Sequence, residues 1–108
     1  MIIARCENFM ITLQNSCDGE IKATKFEYLD GSNWKTENMF NLDGHQKIEK
    51  DHAIPFNRAL AGIGDESTKF RVTYKHHLGG TKWGPTLVET TDAFVAHDNG
   101  SHTVALTK

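Results

Sequence analysis

Two tryptophans in polar turn contexts are the residues of this chain whose type and setting best suit ligand recognition. Trp34 follows Asp30-Gly31-Ser32-Asn33, and Trp83 follows Gly79-Gly80-Thr81-Lys82 and precedes Gly84-Pro85. An indole offers a flat apolar face, while neighbouring Asp, Asn and His side chains offer hydrogen bonds. A pyranose ring has the matching character, an apolar face with a rim of hydroxyls, so the combination points to sugar recognition. The residues expected to take part are Trp83, His76, Asp98 and Asn99 from loops gathered at one end, with Trp34 and Asn33 as a second cluster. The competing expectation is that one or both indoles close the ends of the fold as core caps.

Other chemistries find less support. The chain has six histidines but neither a zinc-finger spacing nor an HExxH pattern. The adjacent pair His76-His77 would point to opposite faces of a strand. His97 and His102 would share a face if Asn99-Gly100 were the two central residues of a hairpin turn, which allows two-point metal binding without a third ligand. The competing reading is two exposed histidines on a hairpin, and no cofactor is expected. Cys6 and Cys17 lack a flanking histidine, no serine occupies a nucleophile-elbow context, and Asp65-Glu66 falls in a turn. The chain is therefore expected to be non-enzymatic. Asn99-Gly100-Ser101 matches a glycosylation acceptor but is more simply that turn.

The elements that must position these residues read as short strands. In 68–85, Phe70, Val72 and Tyr74 alternate with Lys69, Arg71, Thr73 and Lys75, the period of a strand with one buried face, and Gly79-Gly80 then reverses the chain. Asp18-Gly19, Asp30-Gly31, Asp43-Gly44 and Asn99-Gly100 are further turn signals. Between them, strands are expected at 2–6, 9–13, 20–29, 33–35, 47–50, 58–63, 86–90, 93–96 and 102–106, with Ile54-Pro55-Phe56 extended because Ile54 precedes proline. Ile21 and Ala23 differ in parity from Phe26 and Tyr28, which requires a bulge near Thr24-Lys25. Met39, Phe40 and Leu42 are expected to be buried. This pattern predicts an all-β fold, an antiparallel two-sheet β-sandwich of about eight strands (jelly-roll or Ig-like), as a single domain over 1–108. Phe26, Phe70, Val72, Val104 and Leu106 are its expected core.

Composition fits a soluble globular domain: 108 residues, 38% hydrophobic and 24% charged, with a formal net charge of -2. Both signs are scattered along the chain, which argues against a nucleic-acid partner. No apolar run spans a bilayer and the N-terminus lacks signal-peptide character, so the expected location is cytoplasmic or reached by non-classical secretion. The two cysteines could meet if 2–6 and 8–14 were separate strands; reduced, buried thiols are the favoured expectation.

ITLQNSCDGEIKATKFEYLDGSNW sets a polar-ended strand, a turn, a second strand and a tryptophan in order. Over about half the chain this layout resembles the openings of small microbial and fungal β-sandwich lectins, and of aegerolysin and actinoporin-like membrane-binding proteins. The resemblance implies binding to glycans or to glycolipid headgroups. The leading expectation is a hemagglutinin-like, carbohydrate-binding lectin, with a homodimer supplying avidity for weak single sites. The rivals are a lipid-headgroup binder of the lysin type, recognisable by aromatics clustered with Lys and Arg on one face, and an inhibitor or scaffold domain with a projecting loop at 41–57.

Overall fold

The computed structural model describes residues 5–38, 40 and 44–108. The expected opening strand at Ile2, Ile3 and Ala4 and the expected burial of Met39 and Leu42 lie outside the described residues, as does Asp43. The described residues form eleven strands and no helix: β1 (Arg5–Asn15), β2 (Ile21–Asp30), β3 (Asn33–Thr36), β4 (Gln46–Ile48), β5 (Ala53–Ala61), β6 (Glu66–Thr68), β7 (Phe70–Gly79), β8 (Lys82–Trp83), β9 (Leu87–Thr90), β10 (Phe94–Ala96) and β11 (Ser101–Leu106). They assemble into a three-stranded sheet β11-β1-β5, a six-stranded sheet built on β3-β2-β7-β8 with β4 and β9 attached, and the two-stranded pair β10-β6.

The all-β class matches the sequence reading; the strand count and the uniform antiparallel pairing do not. β11 runs parallel to β1, with Met10 opposite Ser101 and Asn15 opposite Leu106, while the other ladders are antiparallel. Residues 5–15, expected to divide between two strands, form one strand with an irregularity between Cys6 and Phe9, where Asn8 has a positive φ of 52°. The bulge required by the parity of β2 is present, as a register shift between Ala23 and Lys25.

The core follows from period-2 burial. Ile11 and Leu13 of β1, Ile21, Ala23 and Phe26 of β2, Phe70, Val72 and Tyr74 of β7, and Val104 and Leu106 of β11 all belong to one buried cluster, so the two larger sheets share a core. Phe70 is its hub: its ring meets Phe26 at 4.9 Å, Phe94 at 4.8 Å and Phe9 at 5.9 Å, all edge to face. Such pairs add to area burial because ring edges and faces carry opposite partial charge.

At the edge where β9 approaches the end of β11, one carboxylate gathers several donors. Glu89 Oε1 accepts hydrogen bonds from the Tyr74 hydroxyl (3.1 Å), the Thr107 amide (2.7 Å) and hydroxyl (3.1 Å), and the Lys108 amide (3.0 Å). Burial pushes the Glu89 carboxyl up, but these donors together hold it below the usual carboxylate range.

Cys6 and Cys17 are both free and buried. A single strand from Arg5 to Asn15 keeps them at opposite ends of the three-stranded sheet, roughly 30 Å apart along the chain at ~3.3 Å per residue. A disulfide needs Cα atoms within about 7 Å. The hairpin that would have brought the thiols together does not form.

Candidate functional site

The outer face of the six-stranded sheet is built by the residues that alternate with the core. Along β7, Arg71, Thr73, Lys75 and His77 point away from buried Phe70, Val72 and Tyr74. The register places Glu27 opposite Arg71, and Lys22 opposite Lys75 on one side and Lys47 on the other. Three lysines therefore form a row across β7, β2 and β4. Like charges directly opposite on adjacent strands repel, with Cβ atoms only about 5 Å apart. Among the described residues no carboxylate stands opposite these lysines in the row, and Lys75 makes no ion pair or hydrogen bond.

Both tryptophans lie on this face. Trp83 on β8 pairs with His77 of β7, and its ring centroid sits 4.7 Å from the imidazole. The Lys22 ammonium lies 4.4 Å from the centre of the same indole and that of Lys47 5.9 Å away. His77 is held on both sides, by Glu20 at 3.4 Å from Nδ1 and by the Gly80 carbonyl at 2.9 Å from Nε2, which donates because a carbonyl only accepts. The hairpin that delivers Trp83 needs glycine at its turn, where Gly79 and Gly80 have φ of 104° and 57°. Trp83 is half-buried and is not part of the core cluster, so the capping alternative does not apply to it.

Trp34 on β3 lies opposite Leu29 of β2, and the Arg71 guanidinium sits 4.1 Å from its ring centre. Arg71 also donates from Nε and Nη2 to the two oxygens of Glu27, at 3.0 and 2.8 Å. These bonds hold the Glu27 carboxyl below the usual range, against the opposing effect of its burial. Asn33 is exposed beside Trp34, opposite Asp30. Trp34 is half-buried against Arg71 and likewise lies outside the core cluster.

The expected first cluster is not assembled. His76 points the other way from His77 and bonds through Nε2 to the Lys108 carbonyl, near the end of β11. Asp98 and Asn99 lie at the other end of β1: the Glu7 amide donates to Asp98 Oδ1 (2.7 Å) and Asn8 Nδ2 donates to Asn99 Oδ1 (2.8 Å). From Glu7 to Asn15, strand β1 spans roughly 25 Å at ~3.3 Å per residue, which separates these groups from His76 and Trp83. Asp98 and Asn99 clamp the irregularity of β1 through their Oδ1 atoms.

The Asn99-Gly100 turn is also of another kind. The Gly100 amide donates to the His97 carbonyl (3.0 Å), so the turn centres on Asp98-Asn99, and Asn99, not Gly100, has the positive φ of 60°. β10 and β11 do not pair with each other, because β10 joins β6 and β11 joins β1. His97 and His102 consequently diverge. His97 Nδ1 lies 2.7 Å from Asp65 Oδ1 at the surface, whereas the His102 ring stacks on Phe94 at 3.7 Å and 8°. Burial lowers the His102 pKa, favouring the neutral ring. Among the described residues no group of three or more His, Cys, Asp or Glu side chains is arranged to hold a metal ion.

Sequence reasoning missed Lys22, Lys47, Lys75, His77 and Arg71. The outward parity of Arg71 and Lys75 was legible in the alternation of β7, but the convergence with Lys22 of β2 and Lys47 of β4 required the pairing register. Five cations (Lys22, Lys25, Lys47, Lys75 and Arg71) and two carboxylates (Glu20 and Glu27) share this face among the described residues, although the chain as a whole carries a formal charge of -2. What fold and face together define is an all-β protein with an aromatic, cationic sheet surface. Comparison of the chain with protein-family models, with curated proteins and with solved structures finds no match. No helix among the described residues is long and apolar enough to cross a membrane.

Proposed function

We propose that the protein is a non-enzymatic carbohydrate-binding module, lectin-like in action, which recognises its ligand on the outer face of the six-stranded sheet around Trp83. In this reading the shared core of the two larger sheets makes a β-sandwich, one domain whose second face is left for recognition. The carrying observation is the half-buried Trp83 indole ringed by His77, Lys22 and Lys47. The open part of the indole supplies an apolar surface, and the ammonium groups donate hydrogen bonds to hydroxyl, carboxylate or sulfate oxygens. The site is shallow, so a single sugar would bind weakly, with Kd on the order of mM.

A glycan array with the purified chain, followed by titration of indole fluorescence, tests this. Trp83→Ala is expected to abolish binding while moving Tm by only a few degrees, because the ring lies outside the core. Retained binding in a folded Trp83→Ala protein would exclude this site.

A second reading has its own support. Aromatics grouped with Lys and Arg on one face are what a lipid-headgroup binder requires, and Leu78, at the tip of the β7–β8 hairpin on the side of His76, is 63% exposed. Flotation with vesicles of anionic phospholipid discriminates: co-flotation without glycan binding selects this reading.

A further inference from the structure

We infer that the ligand is a linear polyanionic glycan, a sulfated or uronate-bearing chain, which crosses the sheet obliquely from Trp83 on β8 to Trp34 on β3 with an anionic group seated on the Lys75-Lys22-Lys47 row. This inference rests on the carbohydrate-binding reading above and gives it a substrate class and a direction.

Three features carry it. The lysine row is the first: ammonium groups on directly opposed positions of three adjacent strands repel one another, and the described residues supply no carboxylate between them. An arrangement that costs the folded protein stability becomes favourable when an anion bridges it. A sulfate or carboxylate seated there would accept from two or three ammoniums at once.

The second is the spacing of the indoles. Trp34 is anchored at Arg71 and Trp83 at His77, six residues apart on one strand, which separates them by about 20 Å. A monosaccharide cannot touch both, whereas a chain of several pyranoses can. Between the two lie Lys25, Thr73 and Lys75, and Lys25 is only loosely paired to Glu27, at 3.7 Å.

The third is the sign of the face, cationic in a chain of negative net charge, which attracts an extended polyanion and repels a second copy presenting the same surface. The spread of contacts also separates this ligand from a lipid surface. Membrane contact would concentrate on the projecting tip at Leu78, yet the paired ring and cation sites are distributed along the sheet.

Calorimetric titration of the full chain with a length series of sulfated oligosaccharides, from disaccharide upward, tests the inference at low and at high salt. Affinity should rise by a factor on the order of 10–100 once the chain covers both indoles, because the second contact becomes intramolecular. It should fall as salt is added. Trp34→Ala should remove the gain with length. Lys75→Ala should weaken binding of the sulfated chain but not of a neutral chain of equal length, and Lys75→Arg should restore it. Should long and short chains bind alike, or Trp34→Ala have no effect, the spanning mode is overturned while recognition at Trp83 stands. Binding of anionic vesicles without any glycan would overturn both.

Discussion

Replacing Lys75 by Glu should make the protein more stable and bind worse. Lys75 faces Lys22 directly across the β7–β2 ladder and makes no ion pair among the described residues. A cross-strand pair contributes roughly 0.2–1 kcal/mol when opposite in charge and costs a similar amount when alike. Lys75→Glu exchanges one for the other, a swing of about 0.5–1.5 kcal/mol, with the lower half expected because solvent screens these half-buried side chains. In a domain of this size that raises Tm by about 2–8 °C. Thermal unfolding by circular dichroism at low and high salt is the assay. The gain should shrink at ~1 M salt, where the Debye length falls to about 3 Å. In parallel, affinity for a sulfated oligosaccharide should drop, since the variant places a carboxylate where the anion would sit. A lower Tm would refute the repulsion argument, and unchanged glycan affinity would refute the role given to the row.

Other expectations follow from the core, the turn and the edge carboxylate. Phe70→Ala should cost about 3–5 kcal/mol in denaturant unfolding, because its ring is fully buried among Phe9, Phe26 and Phe94. Gly100→Ala should destabilise by about 1–3 kcal/mol through crowding, since an added Cβ would come within 2.9 Å of the His97 carbonyl and 3.1 Å of the Phe9 ring, whereas Asn99→Gly relieves a positive φ but gives up the bond from Asn8 and should cost at most about 1 kcal/mol. Glu89 and Glu27 both have folded-state pKa values depressed below their unfolded values. The stability they contribute is therefore present above the unfolded pKa of about 4.3 and is lost as pH falls through the lower folded values. Tm should accordingly fall below about pH 4.3. Glu89→Gln should flatten part of that fall, and an unchanged acid profile would show that the carboxylate is not what the amides of Thr107 and Lys108 bind.

The strands were legible in the sequence wherever one face is buried. Phe70-Val72-Tyr74 alternates with polar residues, and the parity break between Ala23 and Phe26 announces its bulge, because a single inserted residue flips every later side chain. Pairing was not legible. Nothing local to 101–106 tells a strand returning on β10 from one crossing to lie parallel to β1, since long-range partners leave no mark on local alternation. For the same reason Asp98 and Asn99 read as loop residues free to bind, whereas their side chains clamp Glu7 and Asn8 more than 90 positions earlier. Trp83 and Trp34 stand out as candidates from their turn contexts alone. Their cationic neighbours Lys22, Lys47 and Arg71 do not, because residues far apart in the chain converge only through register.

The most direct test of the account is a titration of the protein with a sulfated oligosaccharide long enough to reach both indoles, followed through the Nε1–H signals of the two tryptophans in a proton–nitrogen correlation spectrum. The chain has only these two, so each signal can be assigned with one Trp→Phe variant. The account predicts that both signals shift together in a saturable way, along with the amides of Lys22, Lys75 and His77, while those of Asp98 and Asn99 stay in place. Shifts confined to the Asp98–Asn99 end, or none at either indole, would contradict it.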